Sequence, residues 1–518
     1  MEKFKKGLLT FFHTYFYEAL FVLIAIIAIV LQHNYLHLYP RSLHAWAQSD
    51  LYALAKGYLN NGFDLLHPEG YVYNKQFPYY WNYPYDSTIT GGNLPLHQYF
   101  IALLMALFNN DGPFIFRTYV LIFSLIGFYY LLQLAKLYKI NAAATIFLVS
   151  IALFSPIYFY YQASFLIVIP CIATTFMGLY YYFLHLKINQ IKHWNIAVVI
   201  LFLTLIVRTT YAIPLIAMLL HQLLIGFQTK KFQFKKIIVV GLMGLVWGAI
   251  TMHIHQLSAQ HGSYFLAQIL PAENWQQFLK LLSEAINFWN WNYFSPNQVG
   301  VFVVLFTISL FFLRKKHVTN LKGMGYFVAI LGIGYCMFIY AMISQFHDHD
   351  YYFLDTAYIF FILLMVASFS LIKHTNKTIQ IIAVLTALLF INIFKNGTKQ
   401  AVEGRYFNIH PKDIVSRTSI DYENSVAFIN NLKIEASQKI GVLGFEASQL
   451  PFLFIGKKGY AINCEDEQSF NKMINWGIDY VFCSNSELQQ KVQNHSFVQS
   501  RLQLIATNGK ISYFKVIH

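Results

Sequence analysis

The sequence predicts a polytopic α-helical membrane protein with about 11 transmembrane helices, followed by a small C-terminal α/β domain outside the membrane. Three observations carry this reading. Of 518 residues, 57% are hydrophobic, 18% aromatic and only 12% charged, whereas an ordinary soluble domain is about a quarter charged. The apolar residues come in blocks such as 19–31 (ALFVLIAIIAIVL), 196–207 (IAVVILFLTLIV) and 357–372 (AYIFFILLMVASFSLI). With their flanks, these reach the roughly 20 residues that a bilayer demands. Residues 395–518 then turn polar and alternate in patterns of strand length. A soluble enzyme and a disordered scaffold are excluded. So is a single-anchor protein, because the blocks recur as far as residue 394.

The net charge of +14 reads as topology. Upstream of residue 395, most Lys and Arg fall in segments 1–16, 136–142, 185–193, 228–236, 314–323 and 373–378, where Glu2 is the single acid. Loops rich in Lys and Arg stay on the cytoplasmic side, so these six segments belong inside and no nucleic-acid partner is expected.

The elements follow in order. A first helix, about 17–37, crosses outward from a cytoplasmic N-terminus to a long external segment, 38–112. Within it, 94–108 (LPLHQYFIALLMALF) is short for a span and would invert every later loop if it crossed. It is therefore expected to lie in the outer interface. Spans are expected near 113–135, 143–161 and 164–184. The stretch 194–227 has to hold two short spans, with Arg208-Thr209-Thr210 as their outer turn. A span at 237–255 leads to a second external segment, 256–297, amphipathic around 274–289. The last four spans fall near 298–313, 324–343, 353–372 and 378–394. The chain thus divides into a membrane domain, 1–394, and an extracytoplasmic domain, 395–518.

In that domain, strands are expected at 439–445, 459–463, 479–483, 499–506 and 510–517, with helical patterns such as 421–433 and 466–476 between them. No nucleotide-binding glycine motif occurs there. Cys464 and Cys483 share a compartment where a disulfide is permitted, but nothing in the sequence fixes their separation. Sequons at Asn396 and Asn494 would matter only in a eukaryotic lumen. The first span is too long for a signal-peptide core and lacks a cleavage site.

The scarce acids show where chemistry could sit. Before residue 395, Asp50, Asp64, Glu69, Asp86, Asp111, Glu273, Glu284, Asp348, Asp350 and Asp355 all lie in the external segments or at their membrane edges. A transporter more often holds ionisable groups at the midplane in broken helices; acids gathered on one face suit an enzyme at the outer interface. The densest cluster, 41–50 (RSLHAWAQSD), follows the first span. If 43–59 is a helix, His44, Gln48 and Tyr52 share a stripe, and Asp50 could accept a proton from an acceptor hydroxyl. A solvated loop acid beside interfacial Trp and His is the plainer alternative.

A second polar knot, 345–352 (QFHDHDYY), could hold a phosphate, a sugar or a metal. Adjacent residues seldom all point one way, so a divalent metal is not favoured. Arg208, between two short spans, suits a lipid-linked phosphate, while pairing with an external acid is the structural alternative. Arg117 is expected to be a packing residue that ties down Asp111 or Asp86. The Tyr- and Trp-rich loops 71–85 and 288–294 could stack on sugar rings or simply anchor the interface.

In its membrane region, about 10–394, the chain resembles the GT-C superfamily of polytopic glycosyltransferases, of the protein O-mannosyltransferase and aminoarabinose-transferase type. The resemblance rests on Gln48-Ser49-Asp50 with Tyr52-Ala53 after the first span, and on Gly91-Gly92-Asn93-Leu94-Pro95-Leu96 opening an interfacial helix. Arg117, Pro156 with Tyr160-Tyr161-Gln162, and the late His-Asp-Tyr-Tyr knot complete it. The family implies a polyprenyl-phosphate-sugar donor and transfer with inversion to an extracytoplasmic glycan, lipid or protein. By position, Asp50 becomes the catalytic base, and Arg208 and His347 become donor-phosphate contacts. His44, Gln48, Asp86, Asp350 and Tyr351 become supporting residues. The chain has Ser49-Asp50 where many relatives carry an Asp-Glu pair, and Asn93 where many carry an acid. Both departures weigh against a two-carboxylate or metal-dependent mechanism and leave a single-base one, with a divalent metal cofactor possible but not favoured; the resemblance implies a bacterial inner membrane. Rival readings are a lipid or polysaccharide transporter or flippase, and an O-antigen-type polymerase or ligase.

Overall fold

The computed structural model describes residues 2–76, 86–230, 234–262, 269–300, 303, 307, 323–346, 348–370, 377–407, 413–444 and 446–517. A long first helix, α1 (Glu2–Gln32), leads to segment 38–112, the one expected to be external and called the external segment below for that reason, which holds α2 (Ala45–Asn60) and α3 (Leu96–Leu107). There follow α4 (Pro113–Leu137), α5 (Ala142–Leu153), α6 (Pro156–Tyr161), α7 (Val168–Ile188), α8 (Ile191–Val207), α9 (Ala212–Thr229) and α10 (Phe234–His261). Then come α11 (Trp275–Tyr293), α12 (Met324–Ala341), α13 (Ile359–Phe369) and α14 (Lys377–Tyr406).

By length and composition, six helical stretches among the described residues can cross a membrane: Tyr15–Tyr35, Pro113–Leu137, Val168–Ile188, Thr209–Thr229, Lys235–His261 and Met324–Ala341. Shorter apolar helices include Ala142–Leu153, Ile191–Val207 and Leu354–Phe369. The span expected at 298–313 lies mostly outside the described residues.

Local chemistry sets the helix starts. Pro113 and Pro156 stand in the first turns of α4 and α6, where the missing N–H costs nothing. Asn141 caps α5 through the Ala144 N–H at 2.9 Å, satisfying one orphan donor. Around α7 the packing is tight. A β-carbon on Gly178 would come within 2.7 Å of the Leu201 side chain of α8, so the glycine lets the two helices approach.

Three elements differ from expectation. The stretch 143–161 breaks at Ser155-Pro156, because Pro156 has no N–H to continue the ladder. Ser155 Oγ instead donates to the Tyr293 carbonyl at the end of α11, at 2.7 Å. The stretch from 353 opens with a π-turn, Leu354–Tyr358, around Asp355; such bulges often mark functional positions. Finally, α14 continues past 394 to Tyr406. Its polar extension is held inside the protein, where Thr398 donates to the Phe154 carbonyl and Arg405 pairs with Asp350.

The polar C-terminal part contains a five-stranded sheet of order β2-β1-β3-β5-β4. Its strands are β1 (Ile440–Leu443), β2 (Tyr460–Ile462), β3 (Tyr480–Ser484), β4 (Leu502–Thr507) and β5 (Ile511–Val516). β1 runs parallel to β2 and β3, while β3–β5 and β4–β5 are antiparallel. Parallel neighbours need crossover helices, supplied by Gln449–Ile455 and Glu467–Ile474. Cys464 and Cys483 are free, buried thiols.

The sheet end beside β2 meets the external segment. Val72 bridges Gly459 in parallel, which covers backbone that would otherwise be an exposed edge. Charged contacts reinforce the seam: Arg41–Glu423 at 2.8 Å, Lys439–Asp86 at 3.1 Å, and a short Lys458–Glu69 pair.

Candidate active site

The chain enters α2 through Ser42 and His44, both left-handed (φ 61° and 55°). Non-glycine residues seldom adopt this conformation, and it concentrates at functional sites. His44 therefore caps α2 from outside the helix and shares no stripe with Gln48 and Tyr52. Its Nε2 stands 3.1 Å from Asp350 Oδ1. Gln48 donates to the Leu43 carbonyl at 3.0 Å, and the Tyr52 hydroxyl donates to the Asp111 carbonyl at 2.6 Å. Both residues hold the turn in place.

Asp350 is the hub of the first cluster. Its side chain is fully buried. Tyr161 at the end of α6 donates to it at 2.7 Å, and Arg405 near the end of α14 approaches to 3.2 Å. Burial pushes the Asp350 carboxyl up, but Arg405, His44 and Tyr161 together hold it below the usual carboxylate range. Rings gather above it. The imidazoles of His44 and His349 are parallel at 5.9 Å, Tyr351 meets His44 edge-on at 5.2 Å, and Trp46 meets His349 edge-on at 5.5 Å.

Arg208 adjoins this cluster. It forms a two-pronged pair with Asp355, Nε lying 2.9 and 2.8 Å from the two carboxylate oxygens. Its guanidinium stands 5.4 Å from the Tyr351 ring and 5.8 Å from that of Tyr352. The structural alternative for Arg208 is thus realised, with Asp355 as partner. Fixed in this way, a guanidinium presents its remaining edge in one orientation, which suits a phosphate.

Asp50 faces another space. It is buried in α2 and lines a tightly closed cleft together with Leu54, Asn74, Thr88, Thr90 and Gln449. The cleft is walled by α2, the external segment and the start of the helix after β1. Gly57 sets the spacing: a β-carbon there would sit 1.9 Å from the Glu69 carbonyl oxygen.

The structure thus brings His44, Asp350, Tyr351 and Arg208 together and gives Asp50 its own cleft. Asp86 belongs to neither group. It pairs with Lys75 at 3.2 Å and with Lys439 at 3.1 Å, at the seam with the C-terminal sheet. His347 lies outside the described residues. Arg117 is a packing residue, but its partners are not Asp111 or Asp86. Nε donates to the Leu38 carbonyl at 2.7 Å and Nη1 to the Ala163 carbonyl at 2.5 Å; Asp111 pairs with Lys56 at 2.7 Å. A buried guanidinium here takes carbonyls of the loop after α1 and of the turn after α6.

Sequence reasoning missed Arg405, Asn74, Thr90 and Gln449. Arg405 carried a usable signal, a lone Arg one helical run beyond the last apolar block. The other three are uncharged polar residues in loops, with no pattern to mark them. Among the described residues, no group of three or more His, Cys, Asp or Glu is placed to hold a metal ion.

Comparison with known proteins adds the family context. The family model of dolichyl-phosphate-mannose-protein mannosyltransferases matches residues 92–253. No curated protein matches the sequence. Among solved structures, the chain is similar to ArnT from Cupriavidus metallidurans bound to undecaprenyl phosphate, at 11% identity and a TM-score of 0.57. That alignment covers 97% of this chain and 98% of that one. The apo state of the same protein aligns at 11% identity and TM-score 0.56, covering 95% and 97%. Arabinofuranosyltransferase AftD from Mycobacteria aligns at 10% identity and TM-score 0.54, covering 96% of this chain and 40% of that one. The chain therefore has the polytopic membrane fold of the GT-C glycosyltransferases, and its segment 92–253 is similar to the mannosyltransferase family.

Proposed function

We propose that this protein is a membrane glycosyltransferase that moves a sugar from a polyprenyl-phosphate-linked donor to a hydroxyl of an extracytoplasmic acceptor. The observation that carries the reading is the buried Asp50 in a cleft of a chain that matches, over nearly its whole length, a structure with undecaprenyl phosphate bound. A carboxylate within reach of an acceptor hydroxyl is the group that such a transfer requires.

The roles follow from chemistry. The Asp50 carboxylate takes the proton of the acceptor hydroxyl as its oxygen attacks the anomeric carbon. A new C–O bond forms on the face opposite the bond to phosphate. That bond breaks, its electron pair leaves with polyprenyl phosphate, and the sugar carbon inverts. Arg208, steadied by Asp355, contacts the donor phosphate and stabilises the charge that grows there. His44, Tyr161, Asp350 and Arg405 hold the entry to α2 and hence the position of Asp50. Phosphate as leaving group needs no proton, so one base suffices.

The test is transfer by the purified full chain in lipid nanodiscs, supplied with radiolabelled polyprenyl-phosphate hexoses. Asp50→Asn should lose about 100-fold or more of the transfer rate, as expected when a general base is removed, while donor still binds. Full activity in that variant overturns the base assignment. Movement of an unaltered lipid across the bilayer, with no covalent product from the wild type, would favour a flippase instead.

A further inference from the structure

We infer that the end of α7 and the starts of α8 and α10 form a binding site for the phosphodiester headgroup of an anionic phospholipid, with Lys236 and Trp194 as its principal contacts. The site goes beyond the transferase reading and shares no residue with it. Trp194 and Arg208 stand at opposite ends of α8, about 20 Å apart by helical rise.

The charge at this end is unbalanced. Lys236 lies in the first turn of α10 and is only 6% exposed. A buried ammonium is ordinarily paired with a carboxylate. Between Asp111 and Glu273, however, the sequence holds no Asp or Glu, and Lys236 forms no ion pair among the described residues. Its ammonium lies instead 4.8 Å from the centre of the Trp194 ring. A ring face lessens the cost of the charge but supplies no anion. The helices add to the imbalance, because the first turn of a helix carries the positive end of its dipole. α8 packs beside α10 and starts there too, and its cap residue Gln190 makes no side-chain bond to it.

Hydrogen-bond donors are unbalanced in the same place. Trp194 is 1% exposed, and its indole Nε1 has no hydrogen-bond partner among the described residues. Buried polar groups are nearly always satisfied, and each exception calls for an explanation. His193 Nδ1 is likewise buried and unpartnered, with its ring stacked on Tyr181 at 5.8 Å. His185 pins the turn that carries these groups, since its Nδ1–H donates to the Gln190 carbonyl at 2.8 Å. An ammonium, an indole N–H and two helix starts thus converge without an acceptor. A lipid phosphate supplies both the acceptor and the charge. Lys187, Lys192 and Lys235 flank the site in loops of the kind that stay cytoplasmic, and basic pockets between helices on that side suit anionic headgroups. Ile196, Ile237 and Ile238 are exposed next to it, so the acyl chains have an apolar surface to lie on. A free phosphate would leave that surface unused.

The experiment uses the full chain in nanodiscs of phosphatidylcholine, with or without phosphatidylglycerol. By native mass spectrometry, the wild type should retain phosphatidylglycerol about fivefold over phosphatidylcholine. Lys236→Met should lose this preference and Lys236→Arg should keep it. Trp194→Phe keeps the ring face but removes the N–H, and should weaken retention about twofold or more. Melting separates the site from a structural lysine. In pure phosphatidylcholine Lys236→Met should melt higher than the wild type, because a buried unpaired charge is gone. Phosphatidylglycerol should then raise the melting temperature of the wild type and leave that of the variant unchanged. Equal retention of the two lipids by the wild type overturns the inference, as does lower melting of Lys236→Met in both membranes. So does a loss in Lys192→Ala, an exposed neighbour, as large as that in Lys236→Met. Displacement of the lipid by millimolar inorganic phosphate overturns the lipid assignment. Should Lys236→Met fail to fold, unchanged retention in Trp194→Phe overturns the site by itself. None of these results bears on sugar transfer, so the transferase reading stands or falls separately.

Discussion

Replacing Asp350 by Asn would remove the charge on which three distant segments converge. The Asp350 side chain is fully buried and that of Arg405 only 11% exposed, so the variant leaves a nearly buried guanidinium facing a neutral amide. Breaking a buried pair from one side costs about 3–5 kcal/mol. Arg405→Met should cost less, because Asp350 keeps Tyr161 at 2.7 Å and His44 at 3.1 Å. The double variant, with neither charge, should recover much of the loss, giving a coupling energy of about 2–3 kcal/mol. Reversible unfolding in mixed micelles, followed by tryptophan fluorescence, measures all four corners of the cycle. Trp46 and Trp289 lie beside the hub, 5.5 Å from His349 and 6.1 Å from His44, and report on it directly. Because the Asp350 carboxyl is held below 3.8, its contribution is complete above that pH and is lost only as pH falls through the lowered value. Single-variant losses that simply add, within about 0.5 kcal/mol, would refute the hub.

Other outcomes follow from single contacts. Gly57→Ala should destabilise the external segment by about 1–3 kcal/mol, since its β-carbon would meet the Glu69 carbonyl oxygen at 1.9 Å; limited proteolysis of that segment would show it. Arg208→Lys should lower transfer far more than it lowers stability, because an ammonium cannot hold Asp355 with two prongs and still present a fixed edge; the donor KM is the readout. Glu487 is buried beside Thr418, and burial pushes its carboxyl up from 4.5 to about 7, partly offset by Lys491. The folded state then binds the extra proton between those values, so stability falls as pH rises through them, by about 3 kcal/mol at most. Glu487→Gln should flatten that loss and melt higher than the wild type at pH 8.

What was legible in the sequence was whatever repeats or clusters along it. Long apolar blocks gave the helices, and alternation gave all five strands to within a few residues. Asp50 stood out because acids are rare in this chain. The break before α6 was in view at Pro156 but was outweighed by the apolar run around it. The hub was not legible, because Asp350 meets Tyr161 across 189 residues of chain and no local pattern encodes that meeting. The left-handed turn at His44 was hidden for a related reason. It accompanies the contact with Asp350, and a histidine before an apolar helix carries no mark of it.

The seam between Gln449 and the external segment also sets an order in time. Tyr71 and its partner are 378 residues apart, so at about 5–20 residues per second the ribosome needs roughly 20–75 seconds to deliver the second after the first. Until then the Asp50 cleft lacks a wall, and Asn74 and Thr90 stand open to water. A chain that stalls before residue 449 lacks the side chain that closes this cleft against Tyr71 and Val72. The Asp50 cleft is therefore completed only after most of the membrane helices have been made.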